Sequence, residues 1–412
     1  MTKTSAIHPS DLLAFSRLAL DATVGLSDVV EAMHHNIALR PGILGPPVPG
    51  PASGIAGLVY RSIRLVAGLM GSGIDAALAP LIPLLGERRS PPGREALLAA
   101  LNGVMGDYLA ATGNPLAISM SLRRNGTPLT LERRALARAI PRPGGKLLVL
   151  VHGLCRNDLQ WTRNGHNHGA ALARGLGYTP VYLHYNSGLH ISTNGRALAG
   201  LLETLVEQWP EPSEEFAIIG HSMGGLVVRS AWHCASMTGR DWPRRLRKIV
   251  FLGSPHHGAP LARGGNWVNV LLGFSPYTAA LARPGRIRSA GITDLRFGNL
   301  LDDDWYGRDR FDASPDPRNP LPLPESVDCY TIAGAAGKKA DGLRARLLGD
   351  GVVPVDSALG RHQDPRRTLS FAKSRQWVGY GMNHFDLLSE PAVYERIERW
   401  LGRGAGTLPN AT

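Results

Sequence analysis

The apolar run Ala217-Ile218-Ile219 stops at Gly220-His221-Ser222-Met223-Gly224, and a small-residue helical pattern, Gly225 to Trp232, follows at once. An apolar strand, a Gly-x-Ser-x-Gly bend and a helix in that order constrain the chain more than any other stretch. The pattern is that of a nucleophile elbow, a turn so tight that a Cβ at Gly220 or Gly224 would strike neighbouring backbone. Ser222 would sit at the bend with its Oγ lifted off the sheet edge. The helix beginning at Met223 would turn its free N–H groups and positive dipole end toward an oxyanion formed there. A Gly-x-Ser-x-Gly alone is a common loop; the flanking strand and helix give it catalytic meaning.

A serine hydroxyl needs a base to take its proton, and in this arrangement the acid and the histidine follow the serine in the chain. Two downstream loops fit. Gly349-Asp350-Gly351-Val352-Val353-Pro354 comes after an expected strand at 328–333, and Gly381-Met382-Asn383-His384-Phe385-Asp386 directly after one at 376–379. His384 is the expected general base and Asp350 its orienting acid. Asp356 lies on the same segment as Asp350. Asp386 is too near His384 in sequence for an easy hydrogen bond back to the ring. The oxyanion hole needs two backbone donors. The Met223 N–H is one; the Leu154 N–H, in His152-Gly153-Leu154-Cys155 after the strand at 146–151, is the other. Cys155, with no base assigned to it, reads as loop packing.

The rest of the chain supplies a sheet to carry these loops. Apolar strands are expected at 146–151, 179–184, 216–219, 248–252, 328–333 and 376–379, and helices near 166–176, 193–208, 224–237 and 389–401. Such alternation predicts an α/β fold whose mostly parallel sheet is covered on both faces. Before it, Ile118, Met120 and Leu122 alternate with polar residues up to Asn125-Gly126, a hairpin turn signal, with a return strand near Leu129 and Leu131. Residues 1–115 read as a helical region. It holds amphipathic stretches near 10–39, 55–70, 74–85 and 93–111 and a Pro/Gly linker at 41–51. The α/β domain runs over 116–402, with an apolar, Pro-exiting insertion at about 259–324 that suits a cap over a pocket, and a tail at 403–412.

At this point the chain resembles the α/β-hydrolase superfamily. The resemblance rests on Leu150-Val151-His152-Gly153-Leu154, Gly220-His221-Ser222-Met223-Gly224-Gly225, Gly253-Ser254-Pro255-His256-His257-Gly258, Asp350-Gly351-Val352-Val353-Pro354 and Asn383-His384. Within it the chain is similar to bacterial lipases and esterases and to the lipase-like group of the GPI inositol-deacylases. The resemblance covers about 145–402. It implies a Ser222/Asp350/His384 triad, an oxyanion hole at Leu154 and Met223, and ester hydrolysis. A thioesterase or acyltransferase would share that triad, and a lipid-surface or scaffold protein could keep the fold without turnover. The N-terminal helices match nothing in the pattern.

Composition narrows the partners. The 412 residues carry a net charge of +12, mostly from arginine, without a long basic block, so a nucleic-acid partner is not expected. The three cysteines are far apart and odd in number, with no disulfide framework and no zinc spacing. No cofactor and no metal is expected. Adjacent histidines on extended backbone point apart, which argues against His256-His257 as a ligand pair. Asp302-Asp303-Asp304 reads as a solvated turn, although some related lipases carry calcium. Arg61, Arg64 and Asp75 break the apolar stretch at 54–86, leaving no run of about 18 uncharged residues to span a bilayer. Without a signal-peptide core, the expectation is an intracellular, cytoplasmic protein. Its substrate would be an apolar ester or lipid, and the N-terminal helices could touch a lipid surface. Residues 184–191 could line the pocket or form a structural turn.

Overall fold

The structure, a computed structural model, describes residues 92–402 except 213–214, 260–288, 310–315, 317, 319, 339–341 and 343–347, together with 16–21, 24, 61 and 65. The helices expected at 10–39, 55–70 and 74–85, the linker at 41–51, the tail at 403–412 and much of the insertion lie outside the described residues, apart from those few positions. Two compact units divide the chain: residues 1–88 with 111–116, and residues 89–110 with 117–412. The second carries the sheet. It also takes in most of the last helix that the sequence groups with the N-terminal region.

In chain order the second unit holds α1 (Pro92–Ala111), β1 (Ser121–Arg124), β2 (Thr127–Pro128), α2 (Arg133–Ala139), β3 (Lys146–Val151), α3 (His168–Leu176) and β4 (Tyr178–His184). There follow α4 (Ile191–Gln208), β5 (Glu215–His221), α5 (Met223–Met237), α6 (Trp242–Arg245), β6 (Leu246–Leu252) and α7 (Ala290–Asp294). The last elements are β7 (Asp328–Ala335), α8 (Val355–Ala358), β8 (Gln376–Tyr380) and α9 (Pro391–Leu401). The strands form one sheet in the order β2-β1-β4-β3-β5-β6-β7-β8. From β4 to β8 every neighbouring pair is parallel; β1 alone runs against the rest, pairing antiparallel with both β2 and β4. Asn125 and Gly126, at φ 51° and 76°, make the expected hairpin turn between them. This is an α/β-hydrolase fold.

The apolar runs become strands because both faces of the sheet are covered, so successive side chains enter opposite apolar layers. Leu147, Val149 and Val151 of β3, with Phe216 and Ile218 of β5, share a layer with Leu198 and Leu202 of α4 and Leu226 and Val227 of α5. Leu148, Leu150, Ala217 and Ile219 enter the other layer, with Leu172 of α3 and Val393, Ile397 and Trp400 of α9. Burying one such aliphatic side chain contributes roughly 1.5–3 kcal/mol, so the two layers fix the strand register firmly. Parallel strands place all their C-terminal ends on one edge, where the loops after β3, β5, β6, β7 and β8 gather.

The helix α1 packs with the sheet unit through close backbone approach. Asn186 Nδ2 donates to Gly106 O at 2.8 Å, and Ser289 Oγ donates to Gly103 O at 2.6 Å. Arg123 Nη1 stands 2.9 Å from Glu95 Oε2. No helix among the described residues is long and apolar enough to cross a membrane.

Candidate active site

Ser222 follows the last residue of β5 and caps α5 with φ 56° and ψ −128°, a left-handed conformation that costs a non-glycine residue about 1–3 kcal/mol. Its neighbours hold it there. The Ser222 N–H donates to Leu252 O at the end of β6, at 2.8 Å. The bend is so close to β3 that a Cβ added at Gly224 would lie 2.3 Å from Val151 O, and one at Gly220 would lie 2.7 Å from Gly225 N. The two glycines are therefore obligatory for steric reasons, as the motif implies.

His384 and Asp350 come together across 34 residues of sequence, with His384 Nδ1 2.7 Å from Asp350 Oδ2. A carboxylate can only accept, so Nδ1 carries the proton and Nε2 holds the lone pair. Both side chains are buried, and Nε2 has no hydrogen-bond partner among the described residues. The other carboxylate oxygen, Oδ1, accepts the N–H groups of Val352 at 2.9 Å and Val353 at 2.8 Å. Asp386 turns instead to its own loop, where Oδ2 accepts the Asn383 N–H at 2.8 Å. Asp356 is half-buried and stands 3.5 Å from Arg361.

The serine and the histidine pair share one end of the sheet. Leu252 O holds the Ser222 N–H, and at the next residue, Gly253, an added Cβ would lie 3.2 Å from both Asp350 Oδ2 and His384 Cε1. His221, directly before the serine, donates from Nε2 to His384 O at 3.2 Å, and the two rings are 4.8 Å apart. Burial pushes His221 well below the ordinary histidine range, so it acts as a neutral brace. Sequence reasoning passed over His221 because a histidine beside the serine carries no pattern of its own. No hydrogen bond joins Ser222 Oγ to His384 Nε2, a bond that in many free enzymes tightens only around substrate.

The loop after β3 lies against the serine, since a Cβ at Gly153 would come 2.8 Å from Ser222 Cβ. His152 Nδ1 donates to Gly153 O at 2.9 Å. That carbonyl and the Leu154 N–H belong to one planar trans peptide, so holding the oxygen points the N–H the opposite way. Neither the Leu154 nor the Met223 N–H has a partner among the described residues, although both residues are buried. Burial drives His152 down to about 3, which keeps it a neutral donor.

Residues 184–191 serve as the brace of this loop. Tyr185 Oη donates to His152 O at 2.8 Å, its ring stacks on His152 at 4.3 Å, and Ser187 Oγ accepts the Cys155 N–H at 3.0 Å. Burial raises the Cys155 thiol to about 12, so it stays protonated and inert. Beside the loop, the Arg156 guanidinium sits 4.0 Å over the Phe385 ring, and burial lowers it to about 10.

A separate cluster was not legible in the sequence. Glu95, Asp158 and His184 are buried with their ligand atoms within 4.8 Å of one another. Arg123 already stands against both acids, 2.9 Å from Glu95 Oε2 and 3.4 Å from Asp158 Oδ1, where a cation would sit. The turn at 302–304 is likewise engaged. Asp302 pairs with Arg196, and Asp304 Oδ2 accepts the Leu300 and Leu301 N–H groups at 2.8 and 2.9 Å.

Residues 126–287 match a domain family described only as a domain of unknown function, DUF7379. No curated protein matches the chain. Among solved structures, the chain is similar to the mature lipase BlEst2 of Bacillus licheniformis, at 20% identity over 64% of this chain and 95% of that one, with a TM-score of 0.41. It is similar to the metagenomic carboxyl esterase MGS0156 at 17% identity, covering 78% and 98% of the two chains, TM-score 0.39. The RedJ thioesterase of the prodiginine pathway in Streptomyces coelicolor is 18% identical over 65% and 98%, TM-score 0.34.

Proposed function

We propose that the chain is a serine hydrolase that cleaves carboxylic esters through an acyl-Ser222 intermediate. The observation that carries this reading is the buried Asp350–His384 pair at 2.7 Å, whose free Nε2 shares the sheet edge with a strained serine. His384 Nε2 takes the Ser222 proton as Oγ attacks the ester carbonyl. The carbonyl oxygen becomes an oxyanion that the Leu154 and Met223 N–H groups receive. His384 then gives the proton to the departing alkoxide. Water, activated by the same nitrogen, cleaves the acyl-enzyme and restores the serine. Asp350 accepts the His384 Nδ1–H throughout and stabilises the imidazolium.

The substrate is an apolar ester. The stretch Trp267 to Tyr277 in the insertion, with Val268, Val270, Leu271, Leu272 and Phe274 between them, supports that choice as a source of apolar surface for an acyl chain. The test is hydrolysis of p-nitrophenyl esters of graded acyl length by the full chain and by Ser222→Ala. The reading requires activity in the first and its loss in a folded second; full activity in Ser222→Ala would refute it.

A further inference from the structure

Arg156 bridges the two loops that carry the proposed chemistry. It stands two residues beyond Leu154 on the loop after β3, and its guanidinium lies 4.0 Å over the ring of Phe385 on the loop after β8. Phe385 directly follows His384, and their rings are 5.5 Å apart. The Phe385 ring also lies 6.3 Å from that of His221, the residue before the serine. A positive charge is therefore built in beside the base and beside the oxyanion loop.

That charge has no counter-ion. Arg156 is half-buried, its guanidinium makes no hydrogen bond or ion pair among the described residues, and none of its side-chain nitrogens is sealed from solvent. The acids nearest to these loops in sequence are engaged elsewhere. Asp158 stands 3.4 Å from Arg123 and 3.3 Å from His184, and Asp386 Oδ2 accepts the Asn383 N–H at 2.8 Å. The other charge over the same ring is a second cation, since the Arg163 guanidinium lies 5.8 Å from the Phe385 ring centre. Arg163 also forms no ion pair among the described residues, and its Nε is buried without a partner. Burial, with the charge of Arg163 adding to it, lowers Arg156 to about 10, which leaves it a cation at neutral pH.

Two like charges around one ring, partly out of water, cost free energy that a carboxylate would ordinarily offset. The cost bears on the reaction too. When His384 takes the serine proton it becomes a cation, and Arg156 close by opposes that charge. A negative group brought by the substrate offsets both effects.

We propose that Arg156, with Arg163 beside it, receives an anionic group of the substrate, so that the ester cleaved at Ser222 joins an apolar chain to a carboxylate or a phosphate. The inference rests on the ester reading for the position of the scissile bond. Arginine suits the task because its fork of N–H donors matches the paired oxygens of either anion. The buried Phe385 ring holds the guanidinium in place without using any of those donors.

The test compares matched esters on the full chain. Mono-p-nitrophenyl adipate against p-nitrophenyl methyl adipate puts the charge on the acyl side. Butyrate of p-hydroxybenzoate against butyrate of its methyl ester, followed as release of the phenol, puts it on the alcohol side. The quantity read is the ratio of kcat/KM, anionic over neutral, so that intrinsic reactivity cancels between variants. For one pair Arg156→Gln should lower that ratio about tenfold or more, and Arg156→Lys by less because the charge remains. Arg163→Gln should lower it as well, and carries the test if Arg156→Gln does not fold. The pair that responds assigns the side. Calorimetric titration with hexyl phosphate and hexanoate, with hexanol as control, reads binding without turnover and tells phosphate from carboxylate. One of the two anions should bind saturably, and about tenfold or more weakly in Arg156→Gln, with hexanol the same in both. Anion binding that depends on Arg156 in a chain that cleaves none of the esters would keep the anion site and remove the ester reading. Ratios unchanged in folded Arg156→Gln and Arg163→Gln, no saturable binding of either anion, or binding as tight in both variants as in the native chain overturns the proposal.

Discussion

His384 and Asp350 are clasped twice, through Nδ1 and Oδ2 at 2.7 Å and through the His384 N–H and Asp350 O at 3.0 Å. The second bond ties the two loops together, so a fixed backbone presents the ring and the carboxylate to each other. Asp350→Asn should therefore leave the loops in place and fail in chemistry. An amide can donate to Nδ1, which would move the proton to Nε2 and leave no base facing the serine. The expected loss is about 10⁴-fold in kcat, the scale on which a triad loses its orienting carboxylate. Steady-state kinetics with a p-nitrophenyl ester, beside an unchanged far-ultraviolet dichroism spectrum, checks it. A loss under tenfold would take Asp350 out of its proposed role.

Gly153→Ala probes the donor loop. Its Cβ would meet Ser222 Cβ at 2.8 Å, so the loop must withdraw from the serine and carry the Leu154 N–H with it. Removing one oxyanion donor costs about 10²–10³-fold in kcat. The expected signature is a fall of that size in kcat with KM within about threefold, because the donor acts on charge that appears only in the transition state. A change confined to KM would place the oxyanion elsewhere.

Much of this arrangement was legible in the sequence. The central strands were readable because each is a short apolar run between helices, and β3 spans the expected 146–151 without change. The elbow was readable because a strand, a bend and a helix leave few conformations open around Ser222. Other features were not. The apolar stripe of α1 shows that it packs but not against what; Gly106 meets Asn186 eighty residues on. The helix α2 was missed because Arg133, Arg134 and Arg138 leave it only Leu136 as a buried residue. Burial of individual histidines is a tertiary fact, so His221 gave no signal as a brace.

The buried histidines make stability depend on pH. Burial lowers His152 to about 3 and His168 to about 4, against about 6.5 in an unfolded chain. Below that unfolded value the unfolded chain binds the additional proton, so stability is full above it and is lost as pH falls toward 4. Each such histidine contributes up to about 1.4 kcal/mol per pH unit in that window. Urea midpoints should fall from pH 7 to pH 5, and His168→Gln should reduce that slope. A midpoint flat across the window would contradict the buried, neutral state.

Tyr185→Phe separates the brace from the chemistry. Loss of the bond from Oη to His152 O leaves a buried carbonyl unpaired, at a cost of about 1–3 kcal/mol. Denaturant unfolding should show that loss. Activity at low temperature should fall by less than in Gly153→Ala, because the Leu154 peptide is still held by His152 Nδ1.

The central claim is tested most directly by mass spectrometry after exposure of the full chain to a fluorophosphonate. The account predicts one phosphonyl adduct per chain, located on Ser222, and strong slowing of labelling in His384→Ala. A folded protein that takes up no adduct, or carries it on a residue other than Ser222, would contradict it.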